Sequence, residues 1–89
     1  MTGVYIIKSV KNSRYYIGST IDIDRRLKEH NSGKVFSTKG NIPWELKIFL
    51  NCDNITDARR YEHRLKKYKR KDVIEKVILD GKFPWDYKS

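Results

Sequence analysis

Residues 3–20 read GVYIIKSVKNSRYYIGST, and this stretch decides the fold. Gly3 to Val10 and Tyr15 to Thr20 are rich in β-branched and aromatic residues, and the polar Lys11-Asn12-Ser13-Arg14 between them has hairpin length. A β-hairpin follows. A turn centred on Asn12-Ser13 pairs Ser9 with Tyr16, Ile7 with Gly18 and Tyr5 with Thr20. That register places Tyr5, Tyr16 and Gly18 on one sheet face, with Gly18 leaving a hollow between the two phenols. Sliding by one residue would send Tyr16 to the other face, and two strand tyrosines can also serve as plain packing.

Working outward, Asp22 or Thr20 can cap a helix that runs to about Asn31 and closes at Ser32-Gly33. Lys34 to Asn41 is a basic, small-residue loop, and after Pro43 the alternation of Trp44 to Leu50 makes a third strand. A second helix begins at Asn54 or Thr56 and runs to about Lys69. A third, Lys71 to Asp80, carries Val73, Ile74, Val77 and Ile78 on one stripe and ends at Gly81. The expected architecture is α+β, in the order β-β-α-β-α-α, with a small three-stranded antiparallel sheet flanked by helices. It occupies residues 1–80, leaving 81–89 as a short C-terminal tail that packs back loosely through Phe83-Pro84-Trp85.

The composition narrows the function. The 89 residues carry 20 Lys and Arg against 11 Asp and Glu, a net charge of +9, so a polyanionic partner is expected. No apolar run is long enough to span a membrane, and no signal peptide is readable. Amphipathic membrane anchoring would need an apolar helix face that the core already claims. Nucleic acid is the better partner. The single cysteine, Cys52, excludes an internal disulfide or a Cys-based zinc site and points to a reducing, cytoplasmic setting.

Polar residues stand where the core should be. In the first helix Ile23 and Leu27 mark the inward face, and Arg26 and His30 share or border it. A half-buried arginine needs an anion, either an inward carboxylate or a ligand. On the second helix Ala58, Tyr61, Leu65 and Tyr68 form the apolar stripe, with Glu62 on it or at its edge. Glu62 suits an ion pair with Lys66 four residues on. It equally suits a hard divalent cation completed by water and phosphate oxygens.

These residues resemble a known family. Gly3-Val4-Tyr5 followed by Tyr16-Ile17-Gly18 is similar to the paired signature of the GIY-YIG nuclease superfamily, with Val4 in place of Ile. Asp22, Arg26, Leu27, His30, Asn31 and Gly33 resemble its strand-to-helix segment. Ile42-Pro43-Trp44-Glu45-Leu46 and Ala58-Arg59-Arg60-Tyr61-Glu62 resemble its third strand and metal-binding helix. The likeness covers about residues 2–80 and is nearest to the small stand-alone branch related to the excision-repair nuclease module. It implies a catalytic set of Tyr5, Tyr16, Arg26, His30 and Glu62. In that set Tyr5 is the base or water-orienting group, Tyr16 the second phenol, Arg26 the phosphate clamp with His30 assisting, and Glu62 the sole protein ligand of one Mg²⁺ or Mn²⁺. Gly18 shapes the substrate pocket, and either Lys34 or Lys39 takes the place of a basic loop residue. No Asn follows Glu62, where some members carry one.

The implied activity is metal-dependent endonucleolytic hydrolysis of DNA, structured or damaged, with RNA also open as substrate and specificity supplied by a partner protein. Nearby cations would favour the Tyr5 phenolate, Arg26 would grip two phosphate oxygens, and a metal at Glu62 would stabilise the leaving oxygen. The alternative is a basic nucleic-acid-binding module without catalysis, using Tyr5 and Tyr16 to stack bases.

Overall fold

The computed structural model describes residues 1–86. The strands are β1 (Gly3–Ser9), β2 (Tyr15–Thr20) and β3 (Trp44–Asn51), and the helices are α1 (Ile23–Asn31), α2 (Ile55–Lys66) and α3 (Lys71–Asp80). Short 3₁₀ turns lie at Lys39–Asn41 and Pro84–Asp86. The order β-β-α-β-α-α is therefore as expected, and the antiparallel sheet runs β2-β1-β3, with β1 in the centre. Among the described residues no helix is long and apolar enough to cross a membrane.

The hairpin register differs from expectation by two residues. Tyr5 pairs with Gly18, Ile7 with Tyr16 and Gly3 with Thr20. The turn is centred one residue earlier because the Ser9 hydroxyl accepts from the amides of Lys11 and Asn12, while Ser13 takes a left-handed φ of 63°. A slip of two keeps the parity of the pleat, so Tyr5, Tyr16 and Gly18 still share a face. There is no hollow at Gly18. The Tyr5 phenol lies across it, so closely that a Cβ there would overlap the ring.

The third strand is not a simple alternation. A register shift against Ile6 and Ile7 makes Lys47 the extra residue, with Ile48 opposite Ile6 and Leu46 opposite Ile7. Trp44 and Phe49 thus both lie on the Tyr5 side, while Ile48 and Leu50 lie on the other. Each side has its own core. Ile23 and Leu27 of α1 pack with Tyr5, Ile7 and Trp44. Ala58 and Leu65 of α2 and Ile74 and Val77 of α3 pack with Val4, Ile6 and Ile17. Burying such side chains stabilises by roughly 1.5–3 kcal/mol each.

The caps explain the helix bounds. The side chain of Asp22 accepts from the Arg25 amide, and that of Asn54 accepts from the Asp57 amide. The second helix ends at Lys66, three residues short of expectation, because Lys69 turns into the left-handed region at φ 51°. Gly81 closes α3 at φ 72°. The segment beyond it is not loose as far as Asp86. Phe83 is buried in the α2/α3 core and stacks on Trp85 at 4.7 Å. The last three residues of the expected tail, 87–89, lie outside the described residues.

Candidate active site

Tyr5 sits mid-strand on the central strand and is 1% exposed. Its hydroxyl lies 2.7 Å from Nε2 of His30, which α1 delivers to the same face fully buried. The other ring nitrogen, Nδ1, lies 2.7 Å from Oγ1 of Thr38. The Thr38 hydroxyl can donate to the Val35 carbonyl at 3.4 Å, which leaves Oγ1 to accept from Nδ1–H. Nε2 then accepts the Tyr5 O–H, so a three-residue chain runs Tyr5, His30, Thr38. The Asn31 side chain brackets the Trp44 backbone from both sides, at 2.6 and 3.0 Å, and pins the end of α1 to the start of β3.

Arg26 lies beside this chain. Its Nε donates to the Tyr5 hydroxyl at 3.4 Å, and its Nη1 donates to Glu29 at 3.0 Å. The carboxylate partner of Arg26 is thus Glu29, three residues on in the same helix and partly exposed, although helical spacing turns it off the inward face. Tyr5 and Glu29 both hold the Arg26 guanidinium above its ordinary pKa. Tyr16 closes the cluster, with its ring 6.4 Å from that of Tyr5 and 5.1 Å from His30.

Glu62 arrives from the opposite face. Its Oε1 accepts from Ser19 at 2.5 Å and its Oε2 from Lys66 at 2.6 Å. Ser19 pairs with Val4 and so shares the α2 side of the sheet. The Lys66 ammonium also stands 5.5 Å over the Tyr16 ring. The parts therefore meet around the free edge of β2, not over one sheet face. Beside them a groove of about 460 Å³ is lined by Ser19, Thr20, Arg25, Arg26, Glu29 and Arg59.

The electrostatics depart from expectation at Tyr5. Burial pushes its phenol up to about 12, outweighing the pull of Arg26 towards phenolate. Burial, helped by the Arg26 charge, lowers His30 from 6.5 to about 4. Both groups are neutral at pH 7. Neither is a poised base alone, but together they form a donor–acceptor pair.

The basic loop residues stand apart. Lys39 lies 4.8 Å over the exposed Phe36 ring and Lys34 is exposed, and no hydrogen bond or ring contact among the described residues joins either to the tyrosines. Thr38 and Ser19 complete the site although the sequence does not single them out, and Lys66 joins them. Thr38 gives no signal in periodicity because it lies in a loop. Lys66 did carry one, as the i, i+4 neighbour of Glu62.

The site is thus a buried tyrosine–histidine pair with an arginine against it, on a β-β-α-β-α-α frame. The family model described as the GIY-YIG catalytic domain matches residues 1–76, and the chain belongs to that family. It is 35% identical to a UPF0213 protein of Halalkalibacterium halodurans over 88% of this chain and 83% of that one. It is 41% identical to the structure-specific endonuclease subunit SLX1 of Candida dubliniensis, over 71% of this chain and 25% of that protein. The solution structure of a UPF0213 protein from Bacillus halodurans superposes with a TM-score of 0.53 at 32% identity, covering 97% of this chain and 92% of that one.

Proposed function

We infer that the chain is a divalent-metal-dependent endonuclease that hydrolyses phosphodiester bonds in DNA. The observation that carries this reading is the Tyr5–His30–Thr38 chain with Arg26 against the Tyr5 hydroxyl. Such an arrangement can accept a proton from water at the Tyr5 oxygen while the phenol passes its own to His30 Nε2. Burial is the main cause of the lowered His30 pKa, and a phosphate seated on Arg26 would offset the smaller contribution of the guanidinium charge. Arg26 offers its planar fork to the non-bridging oxygens and stabilises the charge that develops on them. Thr38 holds the imidazole in the tautomer that accepts.

Glu62 is the residue that would hold the metal. It is partly exposed and is joined by neutral Ser19, and one carboxylate completed by water and phosphate oxygens suits Mg²⁺ or Mn²⁺. When bound there, the ion supplies Lewis-acid stabilisation of the leaving oxygen. The Lys66 ammonium must yield its hydrogen bond to Glu62, and it is then free to pair with phosphate.

The net charge of +9 supports a polyanionic substrate, and the similarity to a structure-specific endonuclease subunit supports structured DNA and a partner subunit. The test is incubation with branched, nicked and single-stranded DNA and an RNA hairpin, with and without Mg²⁺ or Mn²⁺, beside Glu62→Ala. Metal-dependent cleavage of DNA that Glu62→Ala loses supports the reading. Binding without cleavage under every condition identifies the basic binding module instead.

A further inference from the structure

A second groove, of about 570 Å³, runs along the same free edge of β2, between the hairpin turn and the α2–α3 junction. Its walls include Tyr15 and Tyr16, and its rim carries Arg14, Lys66, Lys69 and Lys71. No acidic side chain lines it. Arg70 is spent on Asp72, at 2.7 Å, and Lys66 on Glu62, but Arg14, Lys69 and Lys71 have no carboxylate partner among the described residues. All three are exposed cations that line the one groove. Lys69 is placed there by a left-handed backbone at φ 51°, a conformation that glycine or asparagine adopts more readily. Lys69 lines the groove from this turn.

The geometry points to a subsite for one unpaired polynucleotide strand next to the reaction centre. Lys69, Lys71 and Arg14 pair with successive phosphates, and a base lies against Tyr15 on the α2/α3 side of the sheet, with Tyr16 on the other face at the edge. The argument is charge complementarity joined to an apolar, aromatic wall. A cationic rim alone would suit any polyanion, but tyrosine and aliphatic surface between the cations suits a base freed from its partner. The volume falls within the range of pockets for small ligands, so it takes a nucleotide or two, not a duplex. The groove shares Tyr16 and Lys66 with the candidate active site, so a strand lying in it continues towards Arg26. This subsite deepens the nuclease reading and rests on it for its place in a reaction, but strand binding can be measured without cleavage.

The experiment is fluorescence anisotropy of a labelled eight-residue oligothymidylate, without metal, across a range of KCl concentrations. It compares wild type, Lys69→Gln/Lys71→Gln and, as a control on the outer surface of α1, Lys28→Gln. The double variant is expected to bind at least ~10-fold more weakly at low salt. Its log–log salt slope should fall in magnitude by about 1.4, since each single-strand phosphate contact contributes about 0.7. A blunt duplex should change less than the oligothymidylate, and Lys28→Gln should match wild type. Unchanged affinity in the double variant, or equal losses for duplex and single strand, overturns the subsite. If wild type cleaves nothing but the salt slope changes as expected, the nuclease reading fails and the strand subsite stands.

Discussion

The Tyr5 hydroxyl and His30 Nε2 lie 2.7 Å apart in a fully buried contact between the central strand and the first helix. Among the described residues the Tyr5 O–H has no other acceptor and Nε2 no other donor, so in this contact each depends on the other. Tyr5→Phe leaves Nε2 without its donor and should cost about 1–3 kcal/mol of stability, the penalty of an unpaired buried polar atom. Turnover should fall by roughly 10²–10⁴-fold if the phenol carries the proton. Urea unfolding and single-turnover cleavage measure the two effects separately. A variant that unfolds more easily but cleaves at the wild-type rate would make the pair structural only.

His30 makes stability acid-sensitive. Its pKa is 6.5 unfolded and about 4 folded, so between these values the unfolded chain binds the extra proton and stability rises with pH. Stability should therefore fall as pH drops from about 6.5 to about 4, by up to ~3 kcal/mol, and level off below. Tyr5 acts at the other end. Its raised pKa of about 12 gives stability that is lost as pH climbs from about 10 to about 12. Urea midpoints from pH 7.5 to 3.5 in wild type and His30→Gln test the acid limb, and a slope of equal size in both proteins would contradict it.

Gly18 is required by the Tyr5 ring that crosses it. Gly18→Ala should displace the phenol and cost about 1–3 kcal/mol through overpacking. It should also break the Tyr5–His30 geometry and so reduce turnover beyond what the stability loss explains. Thermal unfolding combined with cleavage below the melting range tests both effects. A neutral outcome would mean that the ring has room to move.

Adjacent arginines should behave differently. Arg26 touches the Tyr5 hydroxyl, whereas Arg25 is exposed and contributes only charge to the groove. Arg26→Lys keeps the charge but loses the fork. Turnover should drop on the order of 10²-fold with little change in DNA affinity. Arg25→Lys should match wild type in both. Filter binding and single-turnover rates decide it, and equal effects would reduce Arg26 to one more surface cation.

Much of this arrangement was legible in the chain because periodicity reports faces. The spacing of Ile23, Leu27 and His30 gave the inward side of α1, and strand parity placed Tyr5 with Tyr16 even though the register was two residues off. What periodicity does not report is where a turn centre falls, since that depended on the Ser9 hydroxyl gathering two amides. Nor does it report a bulge at Lys47, a loop threonine folded back on His30, or an edge around which two sheet faces communicate. Phe83 falls in the expected tail because aromatics scattered beyond a glycine stop have no period. The Tyr5 ionisation departs from expectation for another reason. Counting nearby cations omits desolvation, and burial proved the larger effect.

Glu62 offers the most direct measurement. Glu62→Gln keeps an acceptor for Ser19 and gives up a partly exposed ion pair with Lys66, a change worth no more than about 1 kcal/mol. Its melting temperature should stay within about 8 °C of wild type. Single-turnover cleavage of a branched DNA in Mg²⁺ should nevertheless fall at least ~10²-fold, and added Mn²⁺ should not restore it. Cleavage by the folded variant at the wild-type rate in Mg²⁺ would contradict a metal-dependent centre built on this carboxylate.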